Sequence, residues 1–110
     1  VSIAYALNDN LLRGDQLRVI DLTTGESVYL TSTATVEVTV QDAAGVPMGV
    51  ETWPVALTHI AGSRGGFLGV LRNELPWTAG QLWYAKIVAD NGVNQHGEFL
   101  LPLHVLDRYV

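Results

Sequence analysis

Between Ala34 and Gln41 the chain alternates strictly: Ala34, Val36, Val38 and Val40 are apolar, while Thr35, Glu37, Thr39 and Gln41 are polar. Period two predicts a strand with one face in a core and one face in water. Nearly all of its apolar side chains are β-branched, which suits a pleated surface. DAAGVP follows as a turn, since Asp42 can bond its own backbone, Gly45 can take positive φ and Pro47 stops the ladder. Similar units tile the rest of the chain. Strands are predicted over 16–22 and 27–30, joined at TTGE with Gly25 where a tight hairpin wants it. Others are predicted over 53–60 and 67–71, on either side of AGSRGG. Trp83, Ala85, Ile87 and Ala89 mark another alternating strand, ended by Asp90-Asn91-Gly92. The last runs from Gly97 to Val105. Helical spacing is absent, with room for one turn at most in LRNELPWTAG (71–80). About seven or eight short strands with regular turn signals predict an all-β, antiparallel β-sandwich in one domain, 1–110. LRNELPWTAG is too long for a hairpin and is expected to cross between sheets.

AGSRGG is the stretch most like a site. Its glycines, Gly62, Gly65 and Gly66, lie between two predicted strands, so its first role is to turn the chain, with Ser63 and Arg64 as exposed turn residues. A phosphate-binding loop needs a helix after the glycines, and FLGVL reads as a strand instead.

Composition narrows the classes further. The chain is 48% hydrophobic and 15% charged, has no cysteine and carries a net charge of −5, so it reads as a folded globule held by packing alone. Its six Lys and Arg are scattered along the sequence, which argues against nucleic-acid binding. No apolar run approaches the ~20 residues of a membrane span. VSIAYALNDN has neither a basic region nor a long apolar region of a secretory signal. A chain opening on Val1 reads as one that has lost an initiator methionine and is made in a cytoplasm.

Catalytic and metal chemistry find no foothold in the pattern. His59, His96 and His104 have no ligand partner at familiar spacings, and His96 with Glu98 on one strand face makes two ligands rather than a site. Asp90-Asn91-Gly92 lacks the alternating oxygens of a calcium loop. Ser63 is not in a nucleophile elbow. No catalytic residue, metal or cofactor is therefore assigned. Among the aromatics, Trp83 is expected in the core and Tyr84 on the opposite face beside Lys86. Trp77, after Pro76 in a connection, is expected to cap the sandwich or contact a subunit, since a rigid ring buries much area at interfaces.

The order NDN, DLTTG, ATVEVTVQDAAGVP, ETWPVALTHIAGSRGGFLGVL, LPWTAGQLWYAKIVADNG and LPLHV covers nearly the whole chain. It resembles small phage and prophage proteins with an immunoglobulin-like β-sandwich. Trp53-Pro54 matches their Trp-Pro strand, Gly62-Ser63-Arg64-Gly65 their "G-S-x-G" turn, and Ala79-Gly80-Gln81-Leu82 the opening of a later strand. Trp83 stands where that family usually has tyrosine, and Gly66 is an extra glycine before Phe67. The resemblance implies an immunoglobulin-like fold and a non-enzymatic virion component of head, neck or tail. Such a protein would be assembled in the host cytoplasm and dock on copies of itself and on capsid, connector or tail proteins, without nucleic acid or membrane. Candidate contacts are Tyr5 near the start, Leu106 and Tyr109 near the end, Trp77 in the connection and Arg64 in the loop. Two other classes compete with it: a carbohydrate- or surface-binding module with Trp77 and Tyr84 as stacking platforms, and a small hydrolase for which no residue can be named.

Overall fold

A computed structural model of the chain describes residues 2–6, 9–49, 52–72, 75–92 and 94–107, and these form nine strands. In chain order they are β1 (Ser2–Tyr5), β2 (Asn10–Gly14), β3 (Arg18–Ile20), β4 (Ser27–Tyr29), β5 (Thr35–Gln41), β6 (Val55–His59), β7 (Phe67–Leu71), β8 (Leu82–Asp90) and β9 (His96–Leu106). Seven of them make one mixed sheet in the order β1-β9-β8-β5-β6-β7-β2, and β3 with β4 forms a separate hairpin. The fold is all-β, as expected. The expected pair of facing antiparallel sheets is replaced by a single sheet nearly closed into a barrel-like shape, with one parallel pair, β1 with β9.

The corner that curls the sheet lies in β6. Its first half pairs with β5, Val36 opposite Leu57 and Val38 opposite Val55, while its second half pairs with β7, Thr58 opposite Leu68 and His59 opposite Phe67. A strand that changes partners midway must bend between them, and the bend needs room. Gly69 supplies it: a Cβ there would lie 2.4 Å from Leu57 Cδ2, so any larger residue would have to push the Leu57 side chain aside.

Inward side chains fill the barrel in the alternation read from the sequence. Val36, Val38, Val40, Leu57, Ala85, Ile87 and Ala89 are all buried, together with Phe67, Leu103 and Val105. Each larger aliphatic side chain taken from water stabilises the fold by roughly 1.5–3 kcal/mol. Trp83, expected in the core, is only half-buried, as is Val55, and both pack against the core from its margin. Trp83 lies opposite Leu103 near the start of β8, and its Nε1 reaches outward to Gln81 Oε1 at 3.1 Å.

Trp77 is a clearer correction, being 2% exposed. The connection from β7 to β8 folds back over the barrel end and turns Leu75 and Trp77 inward together. Trp77 N–H donates to the Leu75 carbonyl at 2.9 Å, and Gly80 N–H ties the segment to the Val105 carbonyl at 2.8 Å. Trp77 thus caps the barrel end, the first of its two expected roles, and is too buried to offer a subunit contact or a sugar platform.

Candidate functional site

The β3–β4 hairpin closes the end of the barrel where β6 finishes. Leu17 N–H donates to the Gly65 carbonyl and Leu30 N–H to the Leu17 carbonyl, both at 2.9 Å. AGSRGG therefore does more than turn the chain. Ile60 N–H donates to the Gly66 carbonyl at 2.8 Å and closes the hairpin, while Gly65 carries φ +66° and lies flat on the backbone of Leu17. Ser63, expected exposed, is half-buried, and its hydroxyl donates to the Ile60 carbonyl at 2.5 Å.

Docking the loop brings Arg64 to Tyr29. Arg18 and Tyr29 are cross-strand partners of the β3–β4 hairpin. The Arg18 guanidinium carbon stands 4.2 Å from the Tyr29 ring centroid, and its Nη2 donates to the Tyr29 hydroxyl. The Arg64 guanidinium carbon is 5.9 Å from the same centroid, within the range of cation–π attraction. Neither arginine has a carboxylate partner among the described residues, whereas Arg13 is paired through Nε to Asp15 at 2.9 Å. A polar hollow of about 390 Å³ beside them is lined by Arg13, Asp15, Gln16, Ser63, Arg64 and Gly66.

On the neighbouring side of the same end, a polar latch joins the β3–β4 loop to the β8–β9 loop. Gln95 Nε2 donates to Asp21 Oδ2 at 2.7 Å, Asn91 Nδ2 to Gln95 Oε1 at 2.6 Å, and the Thr31 hydroxyl to Asn91 Oδ1 at 3.0 Å. Thr23 N–H also donates to Asp21, at 2.8 Å. The Gln95 amide, followed by the Thr23 N–H, holds the Asp21 carboxyl below the usual carboxylate range, because donors aimed at a carboxylate favour its charged form.

At the other end the barrel stops short of closing. Its two edges, β1 and β2, face each other across a seam. Asn10 spans it with its side-chain amide, accepting from Tyr5 N–H at 2.8 Å and donating to the Tyr5 carbonyl at 2.9 Å. Ala6 N–H donates to the Leu106 carbonyl, which sets the phase of the parallel ladder. Ala4 and Ala6 direct their backbone groups at β9, and Ile3 directs its own into the seam. A groove of about 270 Å³ runs along it, with Leu71, Leu101 and Leu103 among its lining residues. Exposed apolar side chains flank it: Ile3 on one lip, and the directly opposed pair Leu11 and Val70 on the other.

The wet face of β5 and β8 carries a shallow basin of about 380 Å³, lined by Glu37, Thr39, Gln41 and Lys86 with Pro47, Pro54 and Val88. Lys86 sits 3.9 Å from Glu98, and Tyr84 follows on the same face opposite Pro102. His59 packs edge-on against Phe67, ring centroids 5.2 Å apart. Among the described residues, no three His, Asp or Glu side chains form a group able to hold a metal ion.

The candidate contact residues are therefore sorted by place. Tyr5 and Leu106 are brought together as partners across β1 and β9 at the seam end, and Arg64 stands at the opposite end with Arg18 and Tyr29. Trp77 is buried, and Tyr109 lies outside the described residues. Asn10, Leu11, Arg18 and Tyr29 were not singled out from sequence. None of them left a signal there: a hairpin closed at TTGE would put Arg18 opposite Thr31, whereas the loop runs from Asp21 to Glu26 and the register pairs Arg18 with Tyr29. Comparison with family models, with curated proteins and with solved structures returns no match.

Proposed function

We propose that this chain is a non-enzymatic structural component of a tailed-phage virion, a head-decoration, neck or tail protein that works by docking on neighbouring subunits. The virion assignment is supported by the resemblance of its ordered motifs. The docking role is supported by one observation, the open seam: two facing sheet edges above a groove lined by leucines together with Asn10 and Arg13, with Ile3, Leu11 and Val70 exposed beside it. A sheet edge flanked by exposed apolar side chains is a template for another strand. The occupant it suits is an extended segment of a neighbouring subunit, whose backbone would pair with the edges while alternate side chains fill the groove. Polypeptide, rather than nucleic acid or membrane, is the partner in this reading. The immunoglobulin-like character belongs to the proposal too. The divided pairing of β6 supports it, since a strand shared by two differently facing segments relates a barrel to a sandwich.

The test is a mass-spectrometric inventory of purified virions with copy number, repeated with Leu11→Lys. Leu11 is exposed, so the free domain should keep its stability to within ~0.5 kcal/mol, while incorporation falls. Virions that hold none of this chain would end the reading. Full incorporation of Leu11→Lys would move the contact surface away from the seam. A glycan array bound through Tyr84 would favour the carbohydrate-binding class, from which the burial of Trp77 has removed one of two platforms.

A further inference from the structure

The geometry points to a carboxylate-binding clamp formed by Arg18 and Arg64 around Tyr29, suited to an acidic polypeptide segment. This inference does not rest on the assembly reading, because its binding groups, Arg18, Tyr29 and Arg64, do not line the seam groove, although Arg13 borders both the groove and the adjoining hollow. The charge balance makes the arrangement unusual. Eleven Asp and Glu accompany only six Lys and Arg, so a cation in this chain should find an acid easily. Yet two arginines share one tyrosine ring and neither has a carboxylate partner among the described residues. Their guanidinium carbons are no further apart than their two distances to the ring combined. A carboxylate reaching this ring would supply the counter-charge that both guanidinium groups lack among the described residues.

The pair is also held in place. Arg18 is fixed by its hydrogen bond to the Tyr29 hydroxyl and by its cross-strand register. Arg64 is fixed by the loop that Gly65 and Gly66 pin against Leu17 and Ile60. Rigid guanidinium forks match the planar, two-oxygen geometry of a carboxylate. Asp15, the acid lining the adjoining hollow, is engaged by Arg13 and leaves the Arg64 side unblocked. Both arginines are exposed and the hollow is open, so the site meets a protruding group on a polypeptide rather than enclosing a small molecule. A phosphate polymer would need a longer cationic track than two arginines on a chain of net charge −5.

The probe is hexaglutamate, titrated at low salt into the isotope-labelled full chain, with hexaglutamine and inorganic phosphate as separate arms. The expected result is perturbation of the Arg18 and Arg64 Nε–H signals and the Tyr29 ring signals by hexaglutamate alone. Affinity should fall about tenfold in Arg18→Gln and in Arg64→Gln, the effect of losing one charge-assisted hydrogen-bonding partner. Arg64→Lys should restore less than half of that loss, because it keeps the charge without the fork. Both arginines are exposed, so these variants fold, and the unchanged spectrum of the remaining residues verifies it. Unperturbed Arg18 and Arg64 signals, or equal binding by the Arg18→Gln/Arg64→Gln double variant, overturns the clamp. Binding of phosphate as tight as that of hexaglutamate overturns the carboxylate assignment.

Discussion

Replacing Gly65 by alanine tests whether AGSRGG is docked on the barrel end or merely turns the chain. Two separate costs fall on this position. The first is conformational: φ is +66°, and a Cβ in the left-handed region costs roughly 1–2 kcal/mol. The second is a collision with backbone. The new Cβ would lie 2.4 Å from the Leu17 carbonyl oxygen and 2.6 Å from the Leu17 nitrogen, and no side-chain rotation can relieve that. The loop must lift away, which breaks the hydrogen bond from Leu17 N–H to the Gly65 carbonyl, worth about 1 kcal/mol. Against these stands a gain of about 0.4–1 kcal/mol from the reduced freedom of the unfolded chain. With the displacement of the loop added, the net loss should be about 3 kcal/mol.

Gly62 is the internal control. Its φ is +78° and nothing lies within 4 Å of the Cβ position, so Gly62→Ala carries only the conformational cost and should lose about 1 kcal/mol. Urea unfolding followed by tryptophan fluorescence would measure both variants. A gap of about 2 kcal/mol between them at equal slope supports docking. Equal losses would refute it and leave AGSRGG a simple bend.

Trp77→Ala should destabilise the domain by about 3–5 kcal/mol, as truncation of a large buried ring does. Thermal or urea unfolding checks this, and a change under 1 kcal/mol would contradict its place in the core. Asn10→Ala removes two hydrogen bonds across the seam and should cost about 2 kcal/mol. Its amide-exchange signature should be faster exchange at Tyr5, with β5 and β8 unaffected. The lowered Asp21 carboxyl gives a pH test. Its contribution to stability is complete above the ordinary carboxylate range and is lost as pH falls through the lowered folded value. The difference in melting temperature between the parent chain and Gln95→Ala should therefore shrink in acid, and a constant difference would deny the latch its electrostatic part.

Legibility in the sequence followed burial geometry. β5 and β8 were readable because one face of each is in the core and the other in water, so polarity alternates residue by residue. β7 was readable because AGSRGG bounds it. The barrel closure was not readable, since it depends on β6 changing partners at Leu57 over Gly69, a contact between two strands with no trace in either one alone. Trp77 was misplaced for a related reason. A proline and polar neighbours suggest a surface connection, and only the tertiary path of 75–80 across the barrel end turns that ring inward.

The strands bordering the seam were missed for a reason that bears on function. β1 has Ala4 buried and Ile3 exposed, and β2 has Leu12 buried and Leu11 exposed. In both, an apolar side chain faces outward where a wet face would carry a polar one, so no alternation of polarity appears. A monomer needs neither Ile3 nor Leu11 on its surface, and an exposed apolar edge is a liability that soluble proteins usually blunt with charge. Concealment of these strands from pattern reading and their fitness for docking thus share one cause. Restoring alternation by placing threonine at Ile3 and Leu11 should make both strands legible and leave stability within ~0.5 kcal/mol per site. If the seam is the docking surface, the same double substitution should lower incorporation into particles. A double variant that assembles at full copy number would show that these outward residues serve no partner.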